Sequence, residues 1–137
     1  WQPSDFSAVA IAQCRLEEQA ARHGGPVLVC DTDAFATRLW HERYVGVPSA
    51  DVAAIAAAMP PRCLYLLTSD VGVDFEDDGL RDGAHLRGWM TGRFRELLGT
   101  QAVPWVELTG TPAERCRQAL EAVDACVAQA WKFAKPL

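Results

Sequence analysis

The chain has 137 residues, half of them hydrophobic, which suffices for one domain with a buried core. A net charge of -5 and a pI near 5.1 exclude a broad nucleic-acid or anionic-membrane surface, while a few arginines can still converge on one phosphate. No apolar run approaches the roughly 20 residues of a membrane span, and Cys14, Cys30, Cys63, Cys116 and Cys126 form no CxxC, so they read as free thiols in a reducing cytoplasm.

Residues 3–25, PSDFSAVAIAQCRLEEQAARHGG, predict a long helix. Phe6, Val9, Ala10, Gln13, Leu16 and Ala20 recur at helical spacing, Ser4 is the expected cap, and Gly24-Gly25 ends the run. PVLVC (26–30) is a short continuous apolar segment that predicts a buried strand, feeding through DTD into a helix over 34–46. An alanine-rich helix, SADVAAIAAAMP, is closed by Pro60-Pro61, and RCLYLLT (62–68) predicts a second buried strand. SDVGVDFEDDGLRDGAHLRG is acidic, glycine-bearing and aperiodic, which predicts a loop or lid before a helix at WMTGRFRELLG. VPWVELTG (103–110) predicts a third strand and TPAERCRQALEAVDACVAQAWKF a closing amphipathic helix.

Strands alternating with helices predict an α/β fold with a parallel sheet and flanking helices, whose ligands bind at the carboxyl ends of the strands. Those ends are DTD, TSD and TG, which puts Asp31 and Asp33 on the expected ligand-binding edge. Two chemistries suit this pair. Asp31 can be a Walker-B-like carboxylate that holds Mg²⁺ and activates a hydroxyl for attack on a γ-phosphate. Alternatively, DxD with Thr68, Ser69, Asp77 and Asp78 matches a haloacid dehalogenase phosphatase, with a nucleophilic first Asp. That phosphatase also needs a lysine between its last motifs, and the only lysines here are Lys132 and Lys135. The plain alternative for Asp33 or Thr32 is a cap on the helix that begins at Ala34.

The segments VLVCDTDAFATRLWHERYVG and YLLTSDVGVDFEDDGLRDGAHLRGWM, between DFSAVAIAQCRLEEQAAR and WVELTGTPAERCRQALEAV, resemble NadR-type ribosylnicotinamide kinases of the P-loop kinase superfamily. The resemblance covers nearly the whole chain and rests most on the CDTD turn and on DGLRD. It implies transfer of the γ-phosphate of ATP to nicotinamide riboside in NAD salvage, with Mg²⁺. In that family these segments follow a P-loop, GxxxxGK[ST], which these residues do not contain. Residues 1–137 are therefore expected to be the carboxyl-terminal portion of one kinase domain, with negligible kinase activity alone, because the P-loop is the main clamp on the transferring phosphate. The missing strand would leave the sheet with an open edge, covered by an upstream segment or by a second copy in a homo-oligomer.

By the same resemblance Asp31 is the metal ligand or general base, supported by Asp33, and Gln13 is the amide that reads the carboxamide of the base. Asp5 is a weaker substrate contact, since an acid in the first turn also favours the helix dipole. Arg81 and Arg87 are the lid guanidiniums that close on phosphate, with Arg93 beside them on the nucleotide. The plain alternative for these arginines is pairing with surface acids. Gly110 and Thr111 lie where backbone passes the adenine ring, and they equally fit a turn with Thr111 as cap and Pro112 at the first helical position. Trp40, His41 and Tyr44 are expected in helix packing, His23 at a helix end, and His41 and His85 only secondarily at the substrate. A phosphatase of the haloacid dehalogenase class and a non-catalytic nucleotide-binding module stand as the alternatives.

Overall fold

The first helix, α1 (Pro3–His23), starts one residue before the expected Ser4 cap. Gln2 is the capping residue, Pro3 supplies its fixed φ in the first turn, and the Asp5 carboxylate accepts from the Gln2 N–H at 2.8 Å. The computed structural model describes residues 1–75 and 83–130. α2 (Ala34–Val45) begins at an Asp33 cap and ends at Gly46, which takes the left-handed conformation at φ 86° and donates to the Glu42 carbonyl. α3 (Ala50–Ala58) is capped by Ser49, which accepts from Val52 N at 3.2 Å. The chain divides into two units, residues 1–60 and 61–137.

In the first unit the three helices pack on one another around buried Phe6, Ala10, Ala34 and Val52, with Cys14, Val45, Ile55 and Ala56 packed against that cluster. The periodicity of α1 therefore buries Phe6 and Ala10 as expected, but Val9 and Leu16 are exposed. The strand predicted at 26–30 does not form. Residues 27–30 carry no strand pairing, and Val27, Leu28 and Val29 are exposed, the last at 79%. An extended segment becomes a strand only when a neighbour takes its N–H and C=O groups, and hydrophobicity alone does not supply one.

The second unit holds the sheet. β1 (Tyr65–Thr68) pairs in parallel with β2 (Trp105–Leu108), Tyr65 opposite Trp105 and Thr68 opposite Leu108. Both strands are shorter than predicted. A 3₁₀ turn at Ala84–Leu86 leads into α4 (Arg87–Gly99), which packs on β1, and α5 (Pro112–Ala130) packs on β2. Buried Leu67, Met90, Leu98 and Leu108 come one or two from each of β1, α4 and β2. The parallel pair with a helical connection is the α/β arrangement expected from alternating strands and helices.

Candidate functional site

Four of the expected site residues lie in the first unit. Asp31 is exposed and hydrogen-bonds to no group among the described residues, so its carboxylate is available to a ligand. Asp33 is buried and caps α2, its Oδ1 accepting from Ala36 N at 2.8 Å while its backbone carbonyl accepts from Thr37 Oγ1 at 3.0 Å. The plain reading of Asp33 thus holds. Asp5 is likewise an α1 capping group.

Gln13 does more than sit on a helix face. Its amide nitrogen donates to the Thr32 carbonyl at 3.0 Å and to Glu17 Oε1 at 3.1 Å. The first bond ties α1 to the DTD turn; the second joins residues one helical turn apart, and Glu17 is buried at 5% exposure. Gln13 and Thr32 also line a cavity of about 260 Å³ whose other walls include Trp1, Phe6, Trp40 and Tyr44. The rings form one cluster: Phe6 lies 5.5 Å from Trp1 and 6.1 Å from Tyr44, and Trp40 stacks on Tyr44 at 6.5 Å. Arg43 sits over Tyr44 at 4.8 Å from the ring centre. Trp40 and Tyr44, expected in helix packing, are partly exposed at 37% and 41% and serve as cavity wall. His41 does pack: it is buried, meets Phe6 edge-on at 5.2 Å, and its Nδ1 donates to the Val47 carbonyl at 2.8 Å. His23 is a helix-end residue, with Nδ1 bonded to the Gln19 carbonyl at 2.9 Å.

The remaining candidates belong to the second unit. Arg87 donates to the carbonyls of Val73 at 2.8 Å and Asp70 at 3.4 Å and lies 5.9 Å over the Phe75 ring. It holds the segment after β1 against the start of α4 through backbone oxygens, and of the surface acids expected as partners Glu76, Asp77 and Asp82 lie outside the described residues. Arg93 pairs with Glu96. His85 is exposed in the 3₁₀ turn. Arg81, with Asp77 and Asp78, lies outside the described residues.

Gly110 and Thr111 form the cap of α5. Thr111 N–H donates to Glu114 Oε2 at 2.7 Å, and Glu114 N donates back to Thr111 Oγ1 at 3.3 Å, a reciprocal capping box. Both Thr111 bonds hold the Glu114 carboxyl below its ordinary range, the backbone one most. Gly110 has φ 87°, and a Cβ there would stand 2.5 Å from Glu114 Oε2. Behind it, Arg115 donates to the carbonyls of Gly110, Ser69 and Val71 at 2.8, 2.5 and 2.9 Å, bridging the carboxyl ends of both strands. Sequence reasoning missed this residue, since nothing local marks an arginine that bonds carbonyls more than 40 positions away.

The family described as AAA domain matches residues 1–115, most of the chain and both the DTD turn and the sheet. The chain belongs to the AAA domain family. No curated protein and no solved structure matches it. As an AAA domain it falls in the P-loop NTPase class, which suggests nucleotide binding or NTPase-like chemistry and agrees with the P-loop superfamily expected from the CDTD turn. That class is distinct from the haloacid dehalogenase phosphatases, so the AAA domain match speaks against the phosphatase alternative. No helix among the described residues is long and apolar enough to cross a membrane.

Proposed function

We propose that these residues are the carboxyl-terminal portion of a P-loop kinase domain that phosphorylates nicotinamide riboside with ATP in the cytoplasm. The observation that carries the reading is the aromatic cavity whose polar wall, Gln13 and Thr32, is bonded together directly beside Asp31. An aromatic slot of about 260 Å³ is at the small end for a ligand pocket and suits a single flat ring better than a dinucleotide. Asp31 immediately precedes Thr32 in the chain and is exposed, and the reading takes the ribose of a ring held against Gln13 to reach its carboxylate.

In this reading the Asp31 carboxylate accepts the proton of the 5′-hydroxyl as that oxygen bonds to the γ-phosphorus of ATP, and the bond to the β-bridging oxygen breaks to release ADP. Mg²⁺ typically takes one or two carboxylates and fills its remaining positions with water and phosphate oxygens. No group of three or more His, Cys, Asp or Glu capable of holding a metal occurs among the described residues, and a lone exposed Asp31 fits that sparse mode. Bound Mg²⁺ would neutralise charge on the phosphates. By resemblance alone, Arg81 and Arg87 are assigned to the phosphate and Arg93, Gly110 and Thr111 to the nucleotide. The phosphate-cradling GxxxxGK[ST] would come from residues outside these 137. A non-catalytic nucleotide-binding module is the competing reading.

The test is phosphorylation of nicotinamide riboside by the intact protein with ATP and Mg²⁺. Turnover by wild type and a drop of about 100-fold in kcat for Asp31→Asn are expected, as for loss of a base or metal carboxylate. Absence of turnover across a panel of nucleosides would leave the binding-module reading in its place.

A further inference from the structure

The Gln13 amide is fixed in one orientation by its neighbours. Both groups near its nitrogen, the Thr32 carbonyl at 3.0 Å and Glu17 Oε1 at 3.1 Å, are oxygens that accept. An amide nitrogen carries two N–H donors and no acceptor, so these two bonds use both of them. Turning the amide over would set its oxygen against two other oxygens and lose both bonds. What remains for a ligand in the cavity is the Gln13 carbonyl oxygen, an acceptor. Thr37, another polar residue of the wall, donates its single hydroxyl hydrogen to the Asp33 carbonyl at 3.0 Å and so also presents lone pairs only. The Thr32 hydroxyl can rotate to donate or accept and does not set the polarity.

We propose that this cavity selects a flat aromatic ring bearing an N–H donor, a primary carboxamide, against the same ring bearing a carboxylate, and that Glu17 is the positioning residue that sets this choice through Gln13. The inference rests on the nicotinamide riboside reading and narrows it: the amide form of the nucleoside is the ligand and the acid form is rejected. A carboxamide NH₂ donates to Gln13 Oε1, whereas a carboxylate offers that oxygen no hydrogen and meets it with like partial charge. Rejection by an unpaired or repelled polar group in an aromatic slot is strong, because the ligand leaves its water shell without a replacement partner. Sequence spacing adds a reason for Glu17: it stands four residues after Gln13 on the same helical face, and it is buried, so its oxygen holds the amide in place.

The experiment is equilibrium binding of nicotinamide riboside and of nicotinic acid riboside to the whole chain, read by quenching of tryptophan fluorescence, since Trp1 and Trp40 line the cavity. Wild type should bind the amide form about 10-fold or more tightly than the acid form. In Glu17→Leu that ratio should fall to about 3-fold or less, since one of the two oxygens that oppose the turned-over amide is gone and the Thr32 carbonyl alone holds it. Glu17→Gln, whose own carbonyl can still accept from Gln13, should restore it. Circular dichroism monitors the fold of each variant, and the wild-type ratio stands as a test even if Glu17→Leu unfolds. Equal affinity for both nucleosides overturns the polarity inference while leaving the cavity as a riboside site. A wild-type preference that survives unchanged in folded Glu17→Leu overturns the role of Glu17. Binding of neither nucleoside overturns the inference together with the riboside reading beneath it.

Discussion

Arg115 Nη1 donates to the Ser69 carbonyl at 2.5 Å, joining the first turn of α5 to the residue that follows β1. With its bonds to Gly110 and Val71, one guanidinium satisfies three carbonyls at the carboxyl end of a two-stranded sheet. A two-stranded sheet is marginal by itself, and charged hydrogen bonds of this kind compensate for missing ladder partners. Arg115→Ala should therefore destabilise the second unit by about 1–3 kcal/mol. Arg115→Lys should recover little of that, because a single ammonium cannot span three diverging oxygens. Thermal melts followed by circular dichroism check this, and a melting temperature equal to wild type would reduce the bridge to a surface contact.

The two aspartates of the DTD turn should separate by stability alone. Asp33 caps α2 and is buried, so Asp33→Ala should cost about 0.5–2 kcal/mol, the range for loss of a helix cap. Asp31 is exposed and makes no hydrogen bond among the described residues, so Asp31→Asn should leave the melting temperature unchanged within error. A large loss of stability in Asp31→Asn would mean that its carboxylate supports the fold rather than a ligand.

Glu107 on β2 forms a two-pronged pair with Arg95 on α4, with Arg95 Nε to Oε2 at 2.9 Å and Arg95 Nη2 to Oε1 at 2.7 Å. The hydrogen bonds from Arg95 hold the Glu107 carboxyl below its ordinary value of 4.5. A carboxylate depressed in the folded state adds stability that is complete above its unfolded value and is lost as pH falls through the folded one. Glu107→Gln should therefore lower the melting temperature at pH 7, and the gap to wild type should close as pH drops below about 4.5. High salt should narrow the gap as well, since both side chains are partly in water. A gap that stays constant from pH 7 to pH 3 would assign the effect to packing.

Gly110→Ala tests whether that glycine serves the α5 cap. Alanine at φ 87° costs about 1–2 kcal/mol, and its Cβ would displace the Glu114 carboxylate. Introduced into Glu114→Ala, which has lost the carboxylate half of the capping box and keeps only the bond from its backbone N–H to Thr111 Oγ1, the same change should cost measurably less, because contacting residues are not additive. Equal cost in both backgrounds would show strain at Gly110 alone, independent of the capping box.

Much of this protein was written in local sequence. Helical periodicity located α1, α2, α3 and α5, and the capping roles of Asp33 and Thr111 were legible because each bonds a group three residues away. β1 and β2 were legible as short apolar runs between helices, and their parallel pairing followed from the helical connection. The same apolarity misled at Val27, Leu28 and Val29, where no neighbour completes a ladder, since strand formation is a property of two segments and hydrophobicity of one. Only the tertiary structure decided what the long polar side chains do. Gln13 finds a carbonyl 19 residues on and Arg115 finds carbonyls 44 and 46 residues back. Flexible side chains with several donors bond whichever oxygens the fold brings near, and composition or spacing carries no record of that proximity. The aromatic cavity was decided in the same way. Trp1, Phe6, Trp40 and Tyr44 became its walls when α1 and α2 packed together, an outcome fixed by the burial of Phe6 and Ala10 rather than by any motif around the rings.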